Sequence, residues 1–450
     1  MSYSKDNLAW LGTIPDHWQV SKLRQVLSPF SEKNHPDMPL LSVVREKGVI
    51  IRNVESKEEN HNYVPDDLSN YKLVKQGQFT MNKMKAWQGS YGVSKYDGIV
   101  SPAYFVFNFK CDINGDFFNA AIRSKAYVSY FGQASDGIRV GQWDLSMARM
   151  KDIPFLVPPR EEQDQIVRFL DWKVSSINKL INIKKKEIKE IDALKRSMVS
   201  HAITRGLTAD APMKYSGVKW LGDIPQRWYT VPLYAIAQVK SINNCIDLPL
   251  MSVYLDAGVV PFVEREEKRT NATSKDLTNY QRVDPGDFVL NNQQAWRGSV
   301  GVSFHSGIVS PAYIVLSLNN TLDSHYANYL FRSRCMVDQY LVISRGVGSI
   351  QRNLYWSALK RVVVPIPSKK EQMEIVECLD GLNNKFDATI KKLTEEVAVL
   401  EEYKNKIIAD TVTGKIDVRG IEIPEYEFVD EDTDTGNEDG SEEETEEQED

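Results

Sequence analysis

The sequence has no long apolar run, few cysteines and histidines, and none of the familiar catalytic signatures. No stretch of its 450 residues approaches the roughly 20 apolar residues that a membrane helix needs, so no helical span is expected. The opening Met1-Ser2-Tyr3-Ser4-Lys5-Asp6 lacks the apolar core of a signal peptide, and a cytoplasmic protein is expected. Cys111, Cys245, Cys335 and Cys378 are scattered without a C-x-x-C pair. They suit a reducing compartment and suggest neither a disulfide framework nor a zinc site. His17, His35, His61, His201, His305 and His325 show no metal-ligand spacing. There is no G-x-x-x-x-G-K-[ST], G-x-G-x-x-G after a strand, H-E-x-x-H or G-x-S-x-G. Glu266-Glu267-Lys268 and Glu187-Ile188-Lys189 each contain an E-x-K triplet, but that triplet is common in charged stretches, and the second lies within a predicted helix. No active site, metal site or bound cofactor is expected of this chain.

Charge of one sign is also missing, but only at the C-terminal end. From Glu425 to Asp450 there are 15 acidic residues and no Lys or Arg. The net charge of −7 is therefore carried by the tail. Residues 1–424 hold 47 acidic against 55 basic residues, a net charge of +8. The composition predicts a mildly basic folded body, compatible with nucleic acid, and a disordered polyanionic tail.

What is present is organised around two long amphipathic runs. The first runs from Pro158 to Leu207 with no Gly or Pro between its opening Pro158–Gln163 and its closing Ser197–Arg205, and has Ile177, Leu180, Ile181, Ile188, Ile191, Leu194 and Met198 mostly three or four apart. That spacing predicts one narrow apolar stripe on a long helix, which looks for a partner helix. A second run supplies it, with Ile375, Leu379, Leu382, Phe386, Ile390, Leu393, Val397, Leu400, Tyr403 and Ile407 at the same spacings.

The two runs belong to a unit written twice. Trp10-Leu11-Gly12-Thr13-Ile14-Pro15-Asp16-His17-Trp18 returns 210 residues later as Trp220-Leu221-Gly222-Asp223-Ile224-Pro225-Gln226-Arg227-Trp228. Pro39-Leu40-Leu41-Ser42-Val43 returns as Pro249-Leu250-Met251-Ser252-Val253. After a one-residue deletion the offset is 209, and Gly98-Ile99-Val100-Ser101-Pro102-Ala103-Tyr104 matches Gly307-Ile308-Val309-Ser310-Pro311-Ala312-Tyr313. This is a tandem duplication with a period far above solenoid repeats, so each copy should be a globular domain followed by a helix. Within a copy, residues 40–44 and 48–51 read as short strands about a turn, as do 78–81 and 91–94 about a loop. Residues 117–130 and 324–340 each read as one helix, and 210–217 as a linker.

Two loops carry candidate ligand-binding residues. In the first, Asn82, Lys83, Lys85, Trp87 and Gln88 correspond to Asn291, Asn292, Gln294, Trp296 and Arg297, with Gln293 beside them. An Ala-Trp-x-Gly-Ser frame is kept while the polar positions change. Lys, Arg, Asn and Gln reach phosphates and the edges of guanine and adenine, so a kept frame with exchanged polar residues could read two short sequences. A solvated hairpin on a structural Trp is the alternative. The second loop offers Arg139 and Gln142 in one copy and Arg345, Gln351 and Arg352 in the other, among glycines that allow close backbone approach. The Trp-Leu-Gly-x-Ile-Pro-x-x-Trp motif reads as structural.

These residues resemble the DNA-specificity subunit of type I restriction–modification systems. The resemblance spans nearly all of 8–419. It rests on the doubled Trp-Leu-Gly-x-Ile-Pro-x-x-Trp and Gly-Ile-Val-Ser-Pro-Ala-Tyr blocks, and on helix starts at Pro158-Pro159-Arg160-Glu161-Glu162-Gln163 and Pro367-Ser368-Lys369-Lys370-Glu371-Gln372. It implies an α+β chain with two homologous mixed α/β target-recognition domains in tandem. Each is followed by a long helix, and the two helices pair as an antiparallel coiled coil with pseudo-twofold symmetry. The corresponding boundaries are 1–157 and 210–366 for the domains, 158–209 and 367–419 for the helices with a linker, and 420–450 for a disordered acidic tail.

The resemblance also implies a bipartite target on double-stranded DNA, with the gap between half-sites set by helices of about 45 residues, roughly 65 Å at ~1.5 Å per residue. Two methyltransferase subunits using S-adenosylmethionine, and restriction subunits using ATP and Mg, are the implied partners, with no catalysis in this chain. A protein–protein scaffold built on the helix pair is one alternative, and an enzyme with an unrecognised site is another. The acidic tail departs from the family pattern.

Overall fold

The computed structural model describes residues 14–45, 47–53, 64–65, 67–139, 142–262, 276–347 and 351–430. Two compact units emerge, one from residues up to 184 with 395–430, the other from residues 185–394. No described helix is long and apolar enough to cross a membrane.

The predicted long helices run Arg160–Arg205 and Lys369–Val412. Each contributes one half to each unit, so within a unit the start of one helix lies beside the end of the other. In the first unit Ile177 and Ile181 join Ile407 in the core, Lys184 pairs with Glu396 at 3.1 Å, and Lys404 Nζ donates to Asn178 Oδ1 at 3.3 Å. In the second, Lys195 pairs with Asp387 at 2.6 Å. Numbers rise on one helix as they fall on the other, so the pairing is antiparallel. Not all of the predicted stripe is covered: Leu180, Leu194 and Tyr403 are half exposed, and Val399, which lies off the stripe, is exposed as well.

Each globular part is built on a four-stranded antiparallel sheet. In the first its order is 27–30, 104–109, 79–82, 91–93, and in the second 237–239, 313–318, 287–291, 300–302. Fully buried aromatics fill the space between sheet and helices. Phe79 contacts Phe107 and Phe118 in one domain, and Phe288 stacks on Phe331 at 4.2 Å in the other. The helices expected over 117–130 and 324–340 are each two, Gly115–Ile122 with Lys125–Gln133 and Ser324–Arg332 with Arg334–Ile343. Ser124 and Ser333 sit at the breaks with extended backbone, and the second helix of each pair buries Tyr127 or Tyr340 in the core. The linker 210–217 contains a short strand, Met213–Tyr215, paired with Asp223–Pro225.

The repeated motifs are joints between these pieces. Gln163 Oε1 accepts from the backbone of Asn114, the N-cap of a domain helix, while its Nε2 donates to Pro158 O. Gln372 does the same for Asp323 and Pro367. The neighbouring buried carboxylates face the Trp motif: Glu162 bonds His17 at 2.7 Å, and Glu371 takes two bonds from Arg227. The Gly-Ile-Val block meets the Pro-Leu block in both copies, with Ile99 N–H donating to Pro39 O and Ile308 N–H to Pro249 O, each at 2.9 Å. A Cβ on Gly307 would lie 2.6 Å from Pro249 O, a backbone atom that cannot swing aside. Gly307→Ala should therefore destabilise the second domain by about 2 kcal/mol, read as a lower urea midpoint. An unchanged midpoint would mean that the strand can shift freely.

Residues 420–430, expected from composition to lie in the disordered tail, are seated along the first long helix in the first unit. Side-chain amides and a hydroxyl on one helix face hold the backbone. Gln165 donates to the carbonyls of Val418 and Ile421, Ser175 to that of Glu427, Asn178 to that of Val429 and Asn182 to that of Asp430. At the equivalent positions the second helix has Glu374, Asn384, Asp387 and Lys391, which do not repeat that set of donors. Residues 431–450 lie outside the described residues.

Candidate nucleic-acid interface

The two candidate loops of each domain come together. In the first domain, strand 79–82 leaves the sheet into a 3-10 turn at Ala86–Gln88, closed by Gly89 at φ 95°. Ala86 is fully buried and anchors the turn. The second candidate loop is a β-hairpin, Ser135–Arg139 against Gln142–Leu145, and Leu145 N–H donates to Lys83 O at 3.0 Å. In the second domain the hairpin is Arg345–Val347 against Gln351–Asn353, and Leu354 N–H donates to Asn292 O at 2.8 Å. The frame is thus the same in both.

Within that frame the side chains differ. Trp87 is half-buried, with its ring 5.1 Å from Trp143 of the hairpin, and Lys83 pairs with Asp144 at 2.9 Å. Lys85 is exposed and Gln88 half-buried. At the position of Trp143 the second domain has Arg352, whose Cζ lies 5.8 Å from the Trp296 ring centre. Arg297, in place of Gln88, lies 4.9 Å from the same ring. Trp296 Nε1 donates to Gln293 O at 2.9 Å, which fixes the indole. Gln293, Gln294 and Arg345 are exposed. Asn82 and Asn291 belong to the frame, because each side-chain oxygen accepts a backbone N–H two residues on, from Met84 and Gln293. The side chains of Arg139, Gln142 and Gln351 lie outside the described residues.

Beside Lys83 and Lys85 the first domain adds Lys33 and Lys72, which lie outside the two candidate loops. Lys72 Nζ donates to Tyr104 O at 2.6 Å; burial, and then the charges of Lys33 and Lys83, push this ammonium below the usual lysine range. The equivalents of Lys33, Lys72, Lys83 and Lys85 are Asn243, Gln281, Asn292 and Gln294. Gln281 repeats the contact of Lys72, donating to Tyr313 O at 2.7 Å. A comparison of the two copies position by position would have found these residues, and Trp143 opposite Arg352. No cluster of His, Cys, Asp and Glu able to hold a metal occurs among the described residues.

Comparison with known proteins agrees with this layout. The family described as "Type I restriction modification DNA specificity domain" matches twice, over residues 15–192 and 225–399. A putative type I restriction enzyme MjaX specificity subunit from Methanocaldococcus jannaschii is 23% identical over 437 residues, covering 91% of this chain and 96% of its own. The type I restriction enzyme MjaVIII specificity subunit of the same organism is 24% identical over 288 residues, 60% of this chain and 64% of its own. Among solved structures, a chain from work on complex assembly and conformational transition of the type I R-M system aligns with TM-score 0.61 and 14% identity. It covers 90% of this chain and 100% of that one, a likeness of fold.

Proposed function

This chain belongs to the type I restriction–modification DNA-specificity family, and from that premise we propose that it reads a bipartite site on double-stranded DNA, one half with each globular domain. The observation that carries the reading is the frame built twice: a polar loop and a hairpin locked together by the same backbone hydrogen bond, with the exposed polar side chains exchanged between copies. One frame with two sets of side chains suits two half-sites. The antiparallel helix pair supports a pseudo-twofold arrangement and an inverted target. Its exposed Val399 and Tyr403 offer apolar ground for partner helices. The partners in this reading are two methyltransferase subunits, which bind S-adenosylmethionine, and restriction subunits, which use ATP and Mg. This chain itself holds no cofactor and catalyses nothing.

Methylation mapping tests the reading. DNA from cells carrying this chain with its methyltransferase should show a split adenine-methylated motif absent from cells lacking the chain. A co-purifying, active methyltransferase without any chain-dependent motif would favour the scaffold alternative. Lysine contacts to phosphate predict a steep salt dependence of binding. Lys85→Ala should reduce the slope of log affinity against log salt by about 0.9 without changing the motif, in a fluorescence-anisotropy titration. An altered motif would place Lys85 on a base.

A further inference from the structure

The two domains differ where the hairpin meets the indole. In the first domain that meeting is Trp143 on Trp87, and the adjacent lysine is neutralised by Asp144. In the second it is Arg352 on Trp296, with Arg297 on the same ring. The residue in place of Asp144 is Asn353, so the carboxylate that quenches a cation in one domain is absent from the other. Arg297 and Arg352 are both exposed, and neither has a carboxylate partner among the described residues.

We infer that Arg297 and Arg352, held against Trp296, form a guanine-reading site, so that the half-site of the second domain contains a G·C pair recognised by this arginine pair. The inference rests on the DNA-recognition reading above and names the base that one half of it takes. An indole whose N–H is tied to Gln293 O is a fixed platform. A guanidinium lying on it keeps its charge and its planar fork while losing rotational freedom. That fork matches the O6 and N7 acceptors of guanine in the major groove.

A phosphate clamp needs charge but not a fixed plane. The lysines that would supply bare charge in the first domain are amides here, Asn292 and Gln294 replacing Lys83 and Lys85. Charge is thus concentrated on the two residues that stand over the tethered indole, as base reading requires. The first domain has Trp143, packed on Trp87, in place of Arg352, so it cannot repeat the arginine contact and the two half-sites differ there.

The test uses the purified complex of the full chain with its methyltransferase, and a panel of duplexes in which each base pair of the mapped motif is replaced in turn. Wild-type protein should prefer G·C at one position of one half about tenfold or more. In Arg297→Gln or Arg352→Gln that preference should collapse towards one, while discrimination at the other half is unchanged. Arg352→Lys, which keeps the charge and loses the fork, should behave like Arg352→Gln. Both glutamine variants keeping full discrimination, losing affinity equally for all duplexes, or relaxing a position that is not G·C would each overturn the inference. A wild-type complex that discriminates no split motif would instead sink the DNA-recognition reading itself.

Discussion

Gly414→Val is expected to cost the first unit about 3–5 kcal/mol and to lower its thermal transition by roughly 10 °C, seen by calorimetry on the purified chain. Gly414 follows the second long helix at φ 78°, a left-handed conformation in which a β-branched residue is strained. It closes the helix, with Gly414 N–H donating to Thr411 O and Lys415 N–H to Asp410 O, the pattern of a glycine C-cap. The space is also missing. A Cβ would stand 2.5 Å from Pro15 Cδ, 2.6 Å from its Cγ and 3.2 Å from Trp18 Cη2. Proline cannot rotate away, and Trp18 is itself buried in the core with Val412 and Val418. Strain and overpacking therefore add. Gly206, at φ 74° after the first long helix, has its nearest contacts at 3.3 Å, to Glu371 and Trp228, so Gly206→Val should affect the second unit less. Equal effects, or none at Gly414, would show that the helix end is not seated on the Pro15–Trp18 turn.

The duplication made the large pieces legible, because two independent copies of one pattern constrain each other. The long helices, the hairpins at 41–51 and 79–93, and the repeated blocks follow from periodicity and alignment alone. Side-chain roles were less legible. Asn82 looks like a base reader in sequence, but its oxygen holds the loop's own backbone. Apolar periodicity places Leu180 and Leu194 on the stripe but cannot say how wide a strip the partner helix covers. The helix breaks at Ser124 and Ser333 carry no Gly or Pro, so no local signal separates the two helices on either side of them. Residues 420–430 are acidic and look unstructured, because what holds them is a row of Gln, Ser and Asn donors more than 240 residues earlier in the chain. Tertiary partners of that kind leave no local signal.

On the proposed bipartite reading, inserting seven residues after Lys184 and seven after Thr394 is expected to move methylation to a motif with the same two halves and a gap about 3 base pairs longer. The two points fall near each other on the antiparallel pair, where Lys184 meets Glu396. Seven residues are close to two whole turns, so the apolar stripe stays within ~20° of its partner, and each helix grows by roughly 10.5 Å. At about 3.4 Å per base pair that length corresponds to three steps of duplex. Contacts within each unit, Lys404 to Asn178 in one and Lys195 to Asp387 in the other, lie outside the insertion and are kept. Inserting in only one helix is a different perturbation. It slides one stripe by the same ~10.5 Å past an unchanged partner, so the facing pairs cannot form in both units at once, and methylation should be lost. Methylation mapping of both variants separates the two cases. If the doubly extended chain still methylates at the original gap, the helices hold the domains together without measuring the distance between half-sites, and the spacing must be set by the partner subunits.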